Sequence, residues 1–533
     1  MSGTARALAR AGLVVTAAFL VSRILGWLRL VVISTQFGAS AELDAYFAAF
    51  RVPDAVFQLV AAGAVSSALV PVLSGLLSGG EEERAWHVAA AVANAMLVGL
   101  LVLAAAFFVL APWIVPFITP GFDAASLELT VQLTRLMLLS PIFLAMGAVA
   151  TAVLNARGRF AASAVAPSVY NLAIIGGALL LGPWLGVLGL AIGTVLGSAL
   201  HLAVQLPVLW AALRRHYRPR LGLADPAARQ AFLLMAPRAL GMGAAQITFV
   251  VNTALASALG TGAIVAYNVA FTVLQIPIGV IGVPLGIVLL PSMSRAMASG
   301  AVEDFGRLVV RSLRLLLYVM LFLTAIAVVL RREVVTLLFD YGRFDAAAVA
   351  TTAEALLFFL AGLAAHAMIV VLARAFYADQ DTRTPVMAAL LSVAINVVVS
   401  VLSVGTLGLG GLALGIAVGA WAEAGLLALL LRRREPSVAL DSVLRGLLVF
   451  GLGAALAGGA AAVALGVSSQ LVGSEPARPV LLLQAAAVTA LAGLVYLAWS
   501  LLLRLPELPG TIGLLRAALA RGRVPAVDRD GDG

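Results

Sequence analysis

Four charged side chains interrupt apolar sequence near the start of the chain: Arg23 and Arg29 within 8–34, and Asp44 and Arg51 at the head of 44–78. A charge near the bilayer centre costs about 2.5–3.5 kcal/mol on insertion scales, so such residues usually mark a substrate or ion pathway. The guanidinium fork matches phosphate oxygens two at a time, which makes anion capture the chemistry these residues suit. Six residues separate Arg23 from Arg29, so an ideal helix sets them roughly 120° apart. Gly26 lies between them, and a bend there would turn both cations into one cavity. Asp44 and Arg51 are seven apart and share a helix face, and Pro53 breaks the ladder just after Arg51. Charges beside broken helices are a recurring substrate-site signature in secondary transporters. Blander readings stand beside this one: an Arg29–Asp44 structural ion pair, Arg51 as an interfacial anchor, and snorkelling for Arg23, although Arg23 lies deep for that.

The remaining intramembrane charges carry weaker signals. Arg135 and Arg374 lie near span ends, where snorkelling is the default. Arg238 follows Pro237 in the seventh span with no evident acidic partner. Asn252 and Asn396 could ligate a cation, but such residues more often bond across helices. The chain has no cysteine, and its four histidines (His87, His201, His216, His366) lack ligand spacing, so neither thiol chemistry nor a metal site is expected. Glu81-Glu82-Glu83 and Glu303-Asp304 read as solvated loop charges, and Asp530-Gly531-Asp532 is too short for a calcium loop. There is no Walker motif. The expectation is a transporter that is no enzyme and has no cofactor, driven by a coupling ion or the membrane potential.

The elements that must position these charges follow from composition. Of 533 residues, 62% are hydrophobic and 11% charged, against about 25% charged in a soluble domain. Stretches of about 20 apolar residues, each enough for a spanning helix, recur from Leu8 to Leu503. The ten-residue alternation of a β-barrel is absent. The fold class is an all-α polytopic membrane protein, with about fourteen spans near 8–34, 44–78, 88–118, 128–154, 162–184, 186–213, 230–258, 263–290, 308–330, 348–377, 384–404, 408–431, 444–467 and 479–503. The first reads as a retained span, since no small-residue cleavage site follows it.

All 34 basic residues are arginine. With both termini in the cytoplasm, 24 arginines fall in cytoplasmic segments, 4 in the opposite loops and 6 within spans. That asymmetry obeys the positive-inside rule and fixes the orientation. The net charge of +9 follows from topology, and no nucleic-acid partner is expected. The last two spans are rich in Ala and Leu without buried charge and read as a peripheral, lipid-facing pair.

A resemblance then joins these residues. Ser22-Arg23-Ile24-Leu25-Gly26-Trp27-Leu28-Arg29, Phe37-Gly38-Ala39 and Asp44-Ala45-Tyr46-Phe47 resemble the opening of the MurJ (MviN) family. The likeness continues through Gly63–Pro71, Ala156-Arg157-Gly158-Arg159-Phe160, Ala166-Pro167 with Asn171, Gln246-Ile247, Asn252-Thr253 and Gly282-Val283-Pro284-Leu285-Gly286. It closes with Leu290-Pro291-Ser292, Tyr341-Gly342-Arg343-Phe344, Arg374-Ala375-Phe376-Tyr377-Ala378 and Asp381-Thr382-Arg383-Thr384-Pro385. The family comprises lipid II flippases of the multidrug/oligosaccharidyl-lipid/polysaccharide exporter superfamily.

The resemblance implies two six-helix lobes in a V, here 1–220 and 221–435, two additional spans (436–505) and a cytoplasmic tail (506–533). It implies a cationic cavity for the pyrophosphate and sugar of lipid II, at Arg23, Arg29, Asp44 and Arg51, and alternating access. Arg238, Arg374, Thr272 and Gln275 form an expected secondary cavity. The chain departs from the family's charge pattern at Leu30, Phe57, Gln58 and Ala62, and Thr272 and Gln275 stand where the family has an arginine and an acid. The expected function is flipping of lipid II across the bacterial inner membrane by a monomer. The alternatives are a flippase for another polyprenyl-linked glycan, or a non-transporting scaffold of cell-wall synthesis.

Overall fold

The computed structural model describes residues 3–60, 64–217, 225–473, 476–510 and 513, with the side chains of 3–16, 60, 64, 66–67, 236–245 and 472 outside that description. Hydrocarbon offers no water to backbone polar groups, so a chain this apolar satisfies them within each segment as helix. Every regular element among the described residues is helical.

The chain opens with α1 (Gly3–Phe37), α2 (Ala41–Val60, with Pro53 inside), α3 (Ala64–Ser78) and α4 (Glu82–Ile118). Then come α5 (Ala124–Met137), α6 (Leu139–Ala156), α7 (Phe160–Gly176), α8 (Gly182–Leu185), α9 (Val187–Ala203) and α10 (Leu206–His216). Asp123 caps α5 by accepting the Ser126 N–H at 2.9 Å. Next are α11 (Pro226–Ser257), α12 (Ala263–Pro277), α13 (Val283–Ala298), α14 (Val302–Val329) and α15 (Arg331–Phe339). The chain continues with α16 (Ala346–Leu360), α17 (Leu363–Ala378), α18 (Arg383–Leu407), α19 (Leu409–Arg434), α20 (Leu440–Val472) and α21 (Arg478–Leu502). One widened π turn at 177–181 precedes Pro183, and another at 278–282 precedes Pro284. In each, proline removes a donor and crowds the carbonyl a turn earlier, which opens the ladder.

Ten helical stretches among the described residues are long and apolar enough to cross a membrane, or twelve if each bent pair counts as one span. Those pairs are α9–α10, bent by 62°, and α16–α17, bent by 47°. The expected span 44–78 includes residues outside the description, and the expected span 230–258 lies on α11, with the side chains of 236–245 outside the description. The expected span 128–154 falls within one membrane-length stretch, Ala124–Ala156, in which Leu138 separates α5 from α6. The short α15 has no counterpart among the expected elements.

The chain forms two compact units that do not follow chain order. One comprises 1–272, 338–355 and 393–415, the other 273–337, 356–392 and 416–533. The expected lobe boundary at 220 falls in undescribed residues, and the first unit runs on through α11 into α12.

In the first unit, Leu69, Leu73, Trp86, Leu100 and Leu154 share one apolar core. A Cβ on Gly177 would come within 2.6 Å of the Gly193 backbone, the close approach that small residues allow between membrane helices. In the second unit, α20 and α21 are fastened to α14. Tyr318 and Ser500 share a buried hydroxyl bond of 2.8 Å, and the Tyr496 hydroxyl donates to Tyr318 O at 2.9 Å. Beyond α21, the buried Glu507 accepts from Arg314 Nε at 2.6 Å. The outer faces of α20 and α21 still expose Leu448, Leu452, Leu482 and Leu494, as a lipid-facing pair does.

Candidate functional site

The site is built in the first unit, around α2. Asp44, in the first turn of α2, is 1% exposed. Its carboxylate accepts the backbone N–H of Gly262 at 2.5 Å and of Val265 at 2.8 Å. These are orphan donors at the start of α12, and the dipole there favours a negative charge. The acid on one helix thus caps another, and among the described residues it makes no ion pair with Arg29 or Arg51.

Two turns on, Arg51 is 9% exposed. Its Nε donates to Thr253 Oγ1 of α11 at 2.9 Å, and its Nη2 to Asn268 Oδ1 of α12 at 2.8 Å. The guanidinium also lies 5.3 Å from the Phe249 ring centre. Arg51 therefore joins three helices through hydrogen bonds to neutral partners. A second polar chain runs behind it: Asn252 Nδ2 donates to the Tyr267 hydroxyl at 3.0 Å and to Asn396 Oδ1 at 3.5 Å, and Asn396 Nδ2 reaches Ser400.

The first-span cations are held differently. Arg23 is exposed, with its guanidinium 5.2 Å from the Phe19 ring centre one turn back. Arg29 is half-buried and lies 6.0 Å from the Tyr170 ring of α7. Among the described residues neither cation has a carboxylate partner. Aromatic faces steady a guanidinium without neutralising it, so both remain able to take an anion. Asn171, beside Tyr170, donates to Ser22 O at 3.3 Å and ties α7 to α1.

The turns that close these helices interlock. Arg343 N donates to Thr35 O at 2.9 Å. Gly342 has φ of +58°, and a Cβ there would sit 2.5 Å from Thr35 O. Gly38 has φ of +68°, and a Cβ there would sit 2.5 Å from Arg343 O. Both positions combine a left-handed backbone with contact, which only glycine supplies without strain.

The other expected residues are scattered. Thr272 Oγ1 donates to Asn268 O of its own helix at 2.8 Å, and Gln275 is exposed. Arg374, in the second unit, donates to Val370 O at 2.8 Å and packs its side chain on Gly286. The Arg238 side chain lies outside the described residues. Sequence reasoning missed Asp54, half-buried one turn after Arg51, and Gln246, 9% exposed, which both lie within hydrogen-bonding range of each other. The available signal was an acid directly after Pro53 in an apolar run. It also missed Thr253 and Asn268 as the partners of Arg51.

Comparison with known proteins follows this geometry. Residues 33–480 match the family described as "Lipid II flippase MurJ". The "Lipid II flippase MurJ" of Burkholderia cenocepacia is 33% identical over 436 residues, covering 80% of this chain and 84% of the relative. The "Probable lipid II flippase MurJ" of Vibrio cholerae is 30% identical over 431 residues, covering 79% and 82%. Among solved structures, "Lipid II flippase MurJ, inward closed conformation" matches with TM-score 0.76 at 22% identity, over 92% of this chain and 99% of that one. A multidrug resistance MATE family transporter of the MOP superfamily in an inward-facing conformation matches with TM-score 0.66 at 17% identity, over 79% and 96%, and shares the fold.

Proposed function

The chain belongs to the MurJ family, and from that premise we propose that it is a lipid II flippase, moving the headgroup of this lipid-linked peptidoglycan precursor across the membrane. The observation that carries the grip is the pair Arg23 and Arg29, two cations steadied on aromatic faces with no carboxylate partner among the described residues. A pyrophosphate is the anion such forks suit. Arg51 adds a third positive charge, fixed by Thr253 and Asn268. The lipid tail stays in the bilayer while two six-helix lobes alternate in access. The protein works as a monomer in the bacterial inner membrane with both termini cytoplasmic.

The neutral Thr272 and Gln275, where the family has an arginine and an acid, favour a second reading in which the cargo is another polyprenyl-linked glycan. Complementation separates the readings. The wild-type gene should rescue growth of a strain depleted of its own lipid II flippase, and an Arg23→Ala/Arg29→Ala variant at equal membrane level should not. Failure of the wild type to rescue overturns lipid II as the cargo. Rescue by the double variant overturns the assigned grip.

A further inference from the structure

Where α1 carries its two cations it is apolar on every side: Leu20, Ile24 and Leu28 are exposed, and Leu30 and Ile33 are buried. Lipid tails are as apolar as leucine, so burial alone does not choose how such a helix is turned about its axis. Successive helical residues are about 100° apart. A turn of α1 by one residue would bring Arg23 to the place of Ser22 and swing Arg29 off its ring. A directional polar contact must therefore fix the rotation.

That contact comes from α7. Ser22, Gly26 and Arg29 stand at i, i+4 and i+7 and share one stripe of α1. Asn171 of α7 donates to Ser22 O at 3.3 Å, and the neighbouring Tyr170 ring lies beside Arg29. The Asn171 side chain is buried, and its Nδ2 carries two hydrogens. One goes to Pro167 O of its own helix at 3.1 Å, the other to Ser22 O.

Gly26 is what opens Ser22 O to a second helix. A helical side chain lies over the turn before it, so residue i+4 normally covers the carbonyl of residue i. Gly26 has no side chain to cover Ser22 O, and a Cβ there would already stand 3.9 Å from Asn171 Nδ2. Leu25 and Trp27, which follow Val21 and Arg23 by the same four residues, carry large side chains. The amide thus meets a bare carbonyl in one rotation of α1. A turned helix would leave a buried N–H without its acceptor.

We propose that Asn171 is a positioning residue of the anion site: through Ser22 O it fixes the rotation of α1, which keeps Arg29 against Tyr170 and Arg23 on the exposed side. The proposal rests on the flippase reading, in which these two guanidiniums grip the pyrophosphate. Asn171 acts through the two arginines and not by contact with the anion. Cations already held in place lose less freedom when the anion arrives, so the lock sets affinity.

The test uses the full chain. The native sequence has no cysteine, so Ser22→Cys and Arg23→Cys each supply a single thiol. Their rates of reaction with a charged thiol reagent in detergent report the rotation. With Asn171 in place the thiol at position 23 should react faster than the one at 22, and Asn171→Leu should bring the two rates together. In nanodiscs, Asn171→Leu should weaken binding of a polyprenyl pyrophosphate about tenfold, a coupling typical of neighbouring residues. In an Arg29→Ala background the same change should weaken it much less.

An unchanged ratio of thiol rates overturns the proposal. So does an equal loss of affinity in the two backgrounds, which a merely destabilising change would give. If Asn171→Leu does not insert, Asn171→Ala, which only removes atoms, decides by the same two readings. A shifted ratio in a protein whose Arg23→Ala/Arg29→Ala variant binds as tightly as wild type supports the rotation lock and overturns the arginine grip of the flippase reading instead.

Discussion

Asp44 Oδ1 accepts the backbone N–H of Val265 at 2.8 Å, joining residues 221 positions apart in the chain. With Gly262 N on the other oxygen, one carboxylate satisfies two orphan donors of α12. A side-chain cap of this kind is worth about 1–2 kcal/mol, and burial from solvent screening preserves the dipole contribution. Asp44→Ala should therefore lower the stability of the detergent-solubilised protein by about that amount, with Asp44→Asn intermediate because it keeps an acceptor. Thermal melting measures this, and an Ala variant that melts with wild type would remove the cap as an explanation for a buried acid.

Arg51 and Thr253 should be energetically coupled. Thr253→Val leaves the buried Nε without its acceptor, which costs about 1–3 kcal/mol. In an Arg51→Met background the same change has no donor to strand and should cost much less. A double-mutant cycle on unfolding reads the difference, expected at about 0.5–3 kcal/mol for contacting residues. Additive effects would mean that the 2.9 Å contact contributes nothing specific.

The architecture was legible in the sequence because the bilayer leaves a chain so little choice. Long apolar runs become helices, and the arginines of the first span stand out against them. The fourteen expected spans anticipate nearly every long helix, whereas the short α15 depends on packing that composition does not report. Within the site, Arg51 stood out in the sequence as a charge at the head of an apolar run, two residues before Pro53. That its partners would be Thr253 and Asn268 was not visible, since two neutral residues more than 200 positions away give no local signal. The pairing of Asp44 with backbone is illegible for the same reason: a helix N-terminus has no residue type to recognise. Asp54 was the accessible omission, an acid in an apolar stretch overshadowed by the arginine one turn earlier.

Outside the spans, acid stability should depend on Asp381. Burial pushes its carboxyl up, but bonds from the Thr384 hydroxyl and N–H, from Arg434 and from the Arg383 N–H outweigh this and hold it at about 2. A carboxyl lowered in the folded state contributes stability that is complete above its unfolded value, about 4. That contribution is lost as pH falls from there through about 2. Arg434→Gln removes one of the bonds and should cost most stability above about pH 4, the loss shrinking as pH falls through about 2, so an acid unfolding midpoint above that moves to higher pH. Tryptophan fluorescence during acid titration follows the transition, and an unshifted midpoint would show that the Arg434 contact is too exposed to matter.

The grip assigned to Arg23 and Arg29 predicts both an affinity and its salt dependence. A hydrogen bond to a charged group contributes about 1.5–3 kcal/mol, so losing one guanidinium should weaken binding of a polyprenyl pyrophosphate about tenfold to a hundredfold. The wild-type affinity should fall with added salt, because Arg23 is exposed and screening reaches it. Arg23→Ala/Arg29→Ala should bind weakly at every ionic strength. Tyr170→Ala adds a sharper contrast, since it keeps the Arg29 charge but removes the ring that steadies it. Its affinity should fall by less than that of Arg29→Ala, while its salt dependence stays that of wild type. Titration in nanodiscs over a range of salt separates these curves, and a double variant that binds as tightly as wild type would place the anion elsewhere in the protein.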